Sequence, residues 1–403
     1  MAGLTRRQQV AFVAAFAAFA LIVVPLGVRK GQDITTEIAQ AHRILDGLVL
    51  YHTPQTQGIW WPPFALLVVV PFAALSDASL VLAKACWGAL GIVALAWSIY
   101  ESGRRWGWRP ALVALAVVLF PIHNNFRHLN FETLLVALLV AAAADLADGR
   151  PARAGVWVGL ATALKIFPGL LLPYFAWRRQ WKAFGAAAAV AAGVTVLALL
   201  PYGPGGALEA LENFVSLTIH GQNFQGGTIV GLHMQKLGRL GYALGGAPAS
   251  IVALHLLAAG LVLARLARRP APPTDDPPLE VGMVILLAVL VTPIAWLHTF
   301  TLGYLAWVAA VAYPPTLAGV AARAWTSALV GAGILASGIL AHIPWGGALA
   351  FVPKHNDTVG SLMLLALLTL APFISARTTA SPPDPLSAMR RGGTLMRGDG
   401  GSA

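Results

Sequence analysis

Residues 10–28 read VAFVAAFAAFALIVVPLGV, an apolar run close to the length of about 20 residues that an α-helix needs to cross a bilayer. The run is too long for a signal-peptide core and precedes further apolar segments, so we interpret it as an uncleaved membrane anchor. The next residues, Arg29-Lys30-Gly31-Gln32-Asp33, leave a carboxylate at the end of this helix. Only 16 of the 403 residues are acidic, so an acid at the edge of the lipid calls for a chemical explanation.

The composition of the whole chain is that of a polytopic membrane protein. It is 58% hydrophobic and 11% charged, and its mean hydropathy is +0.72. Further runs near spanning length lie at 79–100, 131–147, 183–201, 248–266, 280–297, 317–341 and 357–376. Short or proline-broken runs lie at 62–76, 110–122, 154–177 and 299–313. These runs predict an all-α protein with about twelve transmembrane helices in a single domain, residues 1–376.

The net charge of +11 indicates membrane topology rather than nucleic-acid binding, because the cations cluster in short loops. The positive-inside rule then places both termini in the cytoplasm. It makes 270–278 a cytoplasmic linker and 377–403 a disordered cytoplasmic tail. The segment 62–76 fits this topology as a re-entrant or juxtamembrane element. The cations that define the cytoplasmic side are Arg6, Arg7, Arg104, Arg105, Arg150, Arg153, Arg178, Arg179, Lys182, Arg265, Arg268, Arg269, Arg377, Arg390 and Arg391.

This topology sends the polar and aromatic stretches to the outer face, chiefly the loops 29–61 and 202–247. In the first loop apolar residues recur at helical spacing, which predicts a helix lying in the membrane interface: Ile34, Ile38, Ala41, Leu45 and Leu48. Asp33 stands at the N-terminal edge of this helix. It is either the N-cap of the helix or a base that faces a cavity.

The sequence offers no metal site. Cys86 is the only cysteine and lies in a hydrophobic run, which excludes an intrachain disulfide and makes a Cys-based metal site implausible. The acidic and histidine residues show no metal-ligand spacing. We therefore expect neither a metal nor any other cofactor.

Several motifs in order along the chain resemble glycosyltransferase family 87. Asp33 is followed by DGLVLY at 46–51, WWPPFALL at 60–67 and PFAAL at 71–75. GVWVGLATALKIFP at 155–168 precedes the basic RRQWK at 178–182, and TPIAWLH at 292–298 is similar to the family's Ser-Pro-x-x-Trp-x-His corner. The chain departs from the family at LNFE, residues 129–132, where Gly-Gln-x-Asn is usual. It also departs at QNFQGGT, residues 222–228, where Asn-Gln-Ser is frequent.

Family 87 consists of GT-C-type enzymes that use polyprenyl-phosphate sugars, and its known members include mycobacterial mannosyltransferases. The resemblance implies an inverting hexosyltransferase in a bacterial plasma membrane. It would move a sugar, mannose in the first instance, from a polyprenyl-phosphate donor to a glycolipid or glycan acceptor at the outer face. Asp33 matches the family's catalytic aspartate and would take the proton of the acceptor hydroxyl.

Candidate ligands of the departing phosphate are the cations Arg127, His128, Lys165 and His298. Lys165 lies in an apolar run, where a cation is costly and usually functional or paired, although it could instead snorkel to a surface. His298 could be a packing residue, and Arg127 and His128 a solvated pair. Glu132 could be the structural partner of Arg127. Candidates for binding sugar or acceptor are Glu37, Asn124, Asn125, Asn130, Asn223, Gln225 and Trp296.

Two alternative functions stay open on sequence. One is transfer of a polyprenyl-linked pentose. The other is a non-enzymatic flippase or transporter of lipid-linked sugar. Many transporter folds are built from repeated halves, and no internal repeat stands out in this chain, which favours the enzyme.

Overall fold

The computed structural model describes residues 5–51, 61–220, 240, 244, 248–267, 277–292, 295–315, 317, 319–342 and 351–370. Every extended regular element in these ranges is a helix, which confirms the predicted all-α class. The first seven α-helices are α1 (Arg6–Lys30), α2 (Gln32–Leu45), α3 (Pro63–Trp106), α4 (Trp108–His128), α5 (Glu132–Ala147), α6 (Pro151–Leu164) and α7 (Leu171–Trp177). The next seven are α8 (Trp181–Leu199), α9 (Gly203–His220), α10 (Pro248–Ala267), α11 (Pro277–Val291), α12 (Tyr304–Ala312), α13 (Gly319–Ala336) and α14 (Phe351–Leu370). Short 3₁₀ segments are Phe167–Leu170, Leu200–Tyr202, Leu297–Gly303 and Ile339–His342.

Several of these helices have the length and apolarity of membrane spans, as expected of a polytopic protein. Five qualify outright within the described ranges: Arg6–Lys30, Pro63–Trp106, Trp108–His128, Trp181–Ser216 and Gly319–Ala336. Shorter apolar helices cover Val252–Ala267, Pro277–Val291 and Leu297–Ala312. The total of about twelve spans and the interfacial position of α2 stay predictions. Residues 270–276 of the predicted linker lie outside the described residues, whereas Pro277 and Pro278 are buried at the start of α11. The tail 377–403 and most of the second half of the loop 202–247 also lie outside the described residues.

The first two helices meet at Gly31, which serves as the C-cap of α1 and the N-cap of α2. Asp33 is therefore inside the first turn of α2, and its side chain makes no capping hydrogen bond. The capping interpretation of Asp33 is wrong, because the N-cap of α2 is Gly31, two residues earlier. The carboxylate is left available for contacts with other helices.

Helix α3 is bent at Ser79, whose backbone is extended (φ −164°, ψ 110°). The Ser79 hydroxyl accepts a hydrogen bond from Leu82 N at 3.2 Å and so caps the second half of the helix. The bend separates the same two apolar runs, 62–76 and 79–100, that hydropathy distinguishes. The first half packs along α2, where His42 Nε2 lies 3.2 Å from Ser76 Oγ.

Helix α5 runs between two ends of the bundle that carry different kinds of polar residues. Its 16 residues span about 24 Å, from Glu132 at one end to Ala147 at the other. At the Ala147 end Arg105 binds Asp148 at 2.7 Å and also contacts Glu101. The same end holds Arg178, which pairs with Glu280 and so ties α7 to α11. Acids satisfy these arginines, whereas the Glu132 end carries the predicted catalytic groups.

Small residues allow α6 and α8 to pack closely. A Cβ at Gly155 would stand 2.3 Å from Ala183 O, and one at Gly159 would stand 2.6 Å from Ala187 O. Close backbone approach through small residues is the usual way in which helices associate in lipid. The contact fixes α6, and with it the residue that follows its last turn, Lys165.

Candidate active site

The turn between α4 and α5 brings polar groups beneath Asp33. Leu129 adopts the left-handed conformation (φ 55°, ψ 52°), which ends α4 and reverses the chain. Its side chain packs on Gly27 and Gly31, where added Cβ atoms would come within 2.6 and 2.7 Å of its methyl groups. Its carbonyl accepts a hydrogen bond from Trp87 Nε1 at 2.9 Å. This packing holds the next residue, Asn130, against α2.

Asn130 connects the predicted base to the predicted cation. Its Nδ2 donates to Asp33 Oδ2 at 2.7 Å and lies 3.2 Å from His298 Nε2. Its Oδ1 accepts from Lys165 Nζ at 3.1 Å and from Phe131 N at 2.7 Å. These contacts use the whole hydrogen-bonding capacity of the amide. Asn130 therefore positions Asp33 and Lys165 on opposite ends of one rigid group.

Glu132 is buried completely between two of the predicted phosphate ligands. Its Oε1 forms an ion pair with Lys165 Nζ and lies 3.7 Å from His298 Nε2. Lys165 is 12% exposed, so the pair has little contact with solvent. Glu132 thus pairs with Lys165, and the interpretation that pairs it with Arg127 is wrong. The sequence had suggested no link between Glu132 and Lys165.

Lys165 reaches this position because α6 ends where it does. Pro168 lacks an N–H and its ring would clash with the carbonyl four residues earlier, so the helix cannot continue. Lys165 takes an extended conformation (φ −149°, ψ 130°) as the C-cap of α6. Its ammonium lies 5.7 Å from the ring centroid of Phe167. The motif LKIFP thereby turns a helical lysine toward Asn130 instead of toward the lipid.

Three buried polar atoms around this cluster have no hydrogen-bond partner in the described part of the chain. They are Glu132 Oε2, His298 Nδ1 and Glu37 Oε2. An unpaired polar atom costs about 1–3 kcal/mol when buried, so each is a candidate for contact with a bound ligand. The cluster offers both donors and acceptors, as recognition of a phosphate and a sugar requires.

The neighbours of Asp33 keep it ionised at neutral pH. Burial alone would raise the pKa of Asp33, but contacts with His128 and Asn130 outweigh burial and hold the pKa below its usual value. His128 Nδ1 lies 3.6 Å from Asp33 Oδ1, and the carboxylate side chain is 30% exposed. An ionised, partly accessible carboxylate is the form that a general base needs.

One turn along α2, Glu37 has the opposite character. Burial raises the pKa of Glu37 well above its usual value, and the negative charge of Asp33 adds to the shift. A carboxyl held neutral can donate a hydrogen bond, which an ionised one cannot. The pKa values of the two acids of α2 are therefore shifted in opposite directions, although the acids lie on the same helical face.

We expect Glu37→Gln to leave the fold intact and to become relatively more stable as pH rises. The unfolded chain releases the Glu37 proton near pH 4.5 and the folded chain only at a higher pH. Wild-type stability therefore falls as pH rises between these two pKa values, and glutamine removes that loss. Melting temperatures of both proteins in the same detergent from pH 4 to 8 would check this. A constant difference across the series would show that the pKa of Glu37 is the same in the folded and the unfolded protein.

The remaining predicted site residues lie around this centre in different ways. Asn125 is buried, and its Oδ1 accepts from Glu132 N at 3.2 Å, so it supports the start of α5. Asn124 is half-buried and Arg127 is exposed, both on the last turns of α4. Trp296 is 47% exposed and precedes the 3₁₀ segment that carries His298. Asn223 and Gln225 lie outside the described residues.

Sequence reasoning missed a group of buried polar residues on α14. His355, Asn356, Asp357, Thr358 and Ser361 are each almost fully buried, on a helix that also packs against the 3₁₀ segment of His298. The available signal was the polar run HNDT at the start of an apolar segment. No cluster of three metal-ligating side chains occurs within the described ranges.

The described helices bring a carboxylate, an amide and a buried lysine together at one end of the bundle. Comparison with known proteins shows that the chain is a membrane glycosyltransferase. Residues 60–293 match glycosyltransferase family 87, and the chain belongs to that family. This confirms the family resemblance drawn from the motifs.

Two individual proteins are similar to the chain. It is 29% identical over 357 residues to a polyprenol-phosphate-mannose-dependent alpha-(1-2)-phosphatidylinositol mannoside mannosyltransferase of Mycolicibacterium smegmatis. That match covers 79% of this chain and 76% of the relative. The crystal structure of ArnT from Cupriavidus metallidurans bound to undecaprenyl phosphate is similar with a TM-score of 0.46 and 16% identity. It covers 89% of this chain and 77% of ArnT.

Proposed function

We propose that this protein transfers mannose from a polyprenyl-phosphate donor to a glycolipid or glycan acceptor at the outer face of a bacterial plasma membrane, with inversion at the anomeric carbon. The mycobacterial relative depends on polyprenol-phosphate-mannose, which supports the same donor here. The observation that carries the proposal is the chain of contacts from Asp33 through Asn130 to Lys165. It holds an ionised carboxylate and an ammonium on either side of one amide.

In the proposed reaction, Asp33 accepts the proton of an acceptor hydroxyl as that oxygen bonds to the anomeric carbon of the sugar. The bond from the anomeric carbon to the phosphate oxygen breaks, and its electron pair leaves with the polyprenyl phosphate. Lys165 and the buried Nδ1 of His298 stabilise the charge on the departing phosphate. A single displacement of this kind inverts the configuration. Asn130 keeps the base and the cation at the spacing of the two reacting ends.

The proposal is tested by incubating purified protein with polyprenyl-phosphate-mannose and candidate glycolipids, and identifying the product by mass and anomeric linkage. A product one hexose heavier with inverted linkage supports it. A product one pentose heavier, formed only from a pentose donor, would assign the alternative donor. Movement of lipid-linked sugar across vesicle membranes without transfer would assign a flippase.

Accessibility in intact cells tests the proposed orientation. In a Cys86→Ala background, we expect Asp46→Cys to react with an impermeant thiol reagent and Ala152→Cys to react only after the membrane is opened. Both positions are exposed, and they follow α2 and begin α6 respectively. The positive-inside rule predicts the difference, because Arg150 and Arg153 flank the second position. Labelling of Ala152→Cys alone in intact cells would reverse the orientation.

A further inference from the structure

Two apolar stripes descend side by side from the Glu132–Lys165 ion pair. On α5 the stripe is Leu134, Ala137, Leu138 and Ala141, and on α6 it is Leu164, Leu160 and Trp157. Leu134 follows Glu132 by two residues, and Leu164 immediately precedes Lys165. Each stripe covers seven residue steps, or about 10 Å of helix. Because α5 runs away from the ion pair and α6 runs toward it, both stripes lead from it in the same direction.

The stripes form the walls of an apolar cleft with a volume of about 350 Å³. Its other walls are Phe64 and Val68 from the first half of α3, and Trp97 from the second half. The indole N–H of Trp157 already donates to Asp145 Oδ2 at 2.8 Å, so the ring presents carbon to the cleft. Most of these side chains are half-buried and Trp97 is 40% exposed, as in a cleft that is open along one side.

We propose that this cleft binds the phosphate-proximal part of the donor's isoprenoid chain. This inference rests on the proposed function, since it assigns the tail of the same donor. Asn130 lies between the two halves of the site, because its amide nitrogen donates to Asp33 and its amide oxygen accepts from Lys165. The cleft opens on the Lys165 side, where the phosphate of the donor would bind. A lipid chain that continues from that phosphate enters the cleft directly.

The chemistry of the lining selects a hydrocarbon occupant. Aliphatic and aromatic side chains line it throughout, so a sugar or a second phosphate would lose its hydrogen bonds to water there without replacement. A stretch of about 10 Å takes a few isoprene units, and the rest of a long chain would remain in the bilayer. Affinity should therefore rise with donor chain length until the cleft is filled, and little beyond that point.

Filling the cleft tests the assignment. Ala137→Phe should raise KM for a long-chain polyprenyl-phosphate-mannose by roughly tenfold or more, with kcat and the acceptor KM unchanged. With a five-carbon prenyl-phosphate-mannose, which does not reach Ala137, the variant should equal the wild type. Ala189→Phe, the same change at an exposed position of α8, is the matched control and should alter nothing. Equal loss with both donors, or no loss with either, would overturn the assignment.

Binding of polyprenyl phosphate without sugar separates this inference from the proposed function. Ala137→Phe should weaken binding of the long-chain lipid by the same roughly tenfold factor even if mannose is not the sugar transferred. If Ala137→Phe does not fold, Ala137→Leu and Ala141→Leu give smaller changes at the same wall. Unchanged lipid binding in folded variants would overturn the cleft, whereas absent mannose transfer with weakened binding would overturn only the choice of sugar.

Discussion

Replacement of Asp33 by asparagine should remove most transfer activity and leave the protein folded. Loss of a general base typically lowers the rate by about 10²- to 10⁴-fold. Gly31 caps α2, so the substitution removes no capping hydrogen bond. The side-chain oxygen of asparagine can still accept from Asn130 Nδ2, which preserves the contact at 2.7 Å. Initial rates with saturating donor and acceptor, together with the melting temperature, measure the two effects separately.

Two further variants sharpen this experiment. Asp33→Glu should recover little activity, because one added methylene displaces the carboxylate from its position against Asn130. Asp46→Asn, at the other end of the same helix and exposed, is the matched control and should behave as wild type. Near wild-type transfer by Asp33→Asn would show that another group accepts the proton, and the mechanism proposed here would be wrong.

Replacement of Lys165 by methionine should reduce both stability and activity. It removes the cation that pairs with Glu132, a carboxylate with no solvent exposure. Breaking a buried ion pair by removing one partner typically costs about 3–5 kcal/mol. The same change removes a charge-assisted contact to the donor phosphate, so turnover and donor binding should fall as well. Denaturation in detergent gives the first quantity and donor-dependent kinetics the second.

The double variant Lys165→Met with Glu132→Gln separates folding from chemistry. Glutamine removes the stranded charge, so the double variant should regain most of the stability lost by the single one. It should not regain activity, because no ammonium faces the phosphate. Lys182→Met, an exposed cation at the start of α8, is the control. Full activity in the double variant would remove Lys165 from the phosphate site and leave His298 as the ligand to test.

The sequence predicted the fold class and singled out Asp33 as a candidate base, but it could not predict the contacts between the candidate site residues. Apolar runs determine the helices because a bilayer imposes their length and composition. Asn130, Glu132 and Lys165 belong to different segments, and their contact depends on the left-handed turn at Leu129 and the end of α6 at Lys165. The hydropathy of the sequence predicts neither the left-handed turn nor the residue at which α6 ends. The family motifs identified Lys165 and His298 without showing that one buried glutamate lies between them.

The capping role of Asp33 failed for a related reason. Asp and Asn are favoured N-caps, so the local pattern allowed that interpretation. The N-cap of α2 is Gly31, two residues before Asp33, because a glycine can link α1 to α2 where Gly27 and Leu129 leave no space for a side chain. That constraint comes from Leu129, at the end of α4, which packs against α1. Leu129 and its neighbour Asn130 follow Asp33 by almost 100 residues in the sequence, so the local pattern around Asp33 could not reveal it.

The packing of Leu129 on α1 makes the position of Asn130 relative to Asp33 depend on residues that take no part in the reaction. Gly27, Gly31 and Leu129 fit together with no room for another methyl group. Enlarging either glycine would push the turn outward and carry Asn130 away from Asp33, even though both reacting groups were untouched. Substitutions at Gly27 or Gly31 can therefore lower activity although neither residue contacts the reacting groups. A second substitution that makes the side chain at position 129 smaller should restore activity to such a variant, since it provides space for the added methyl group.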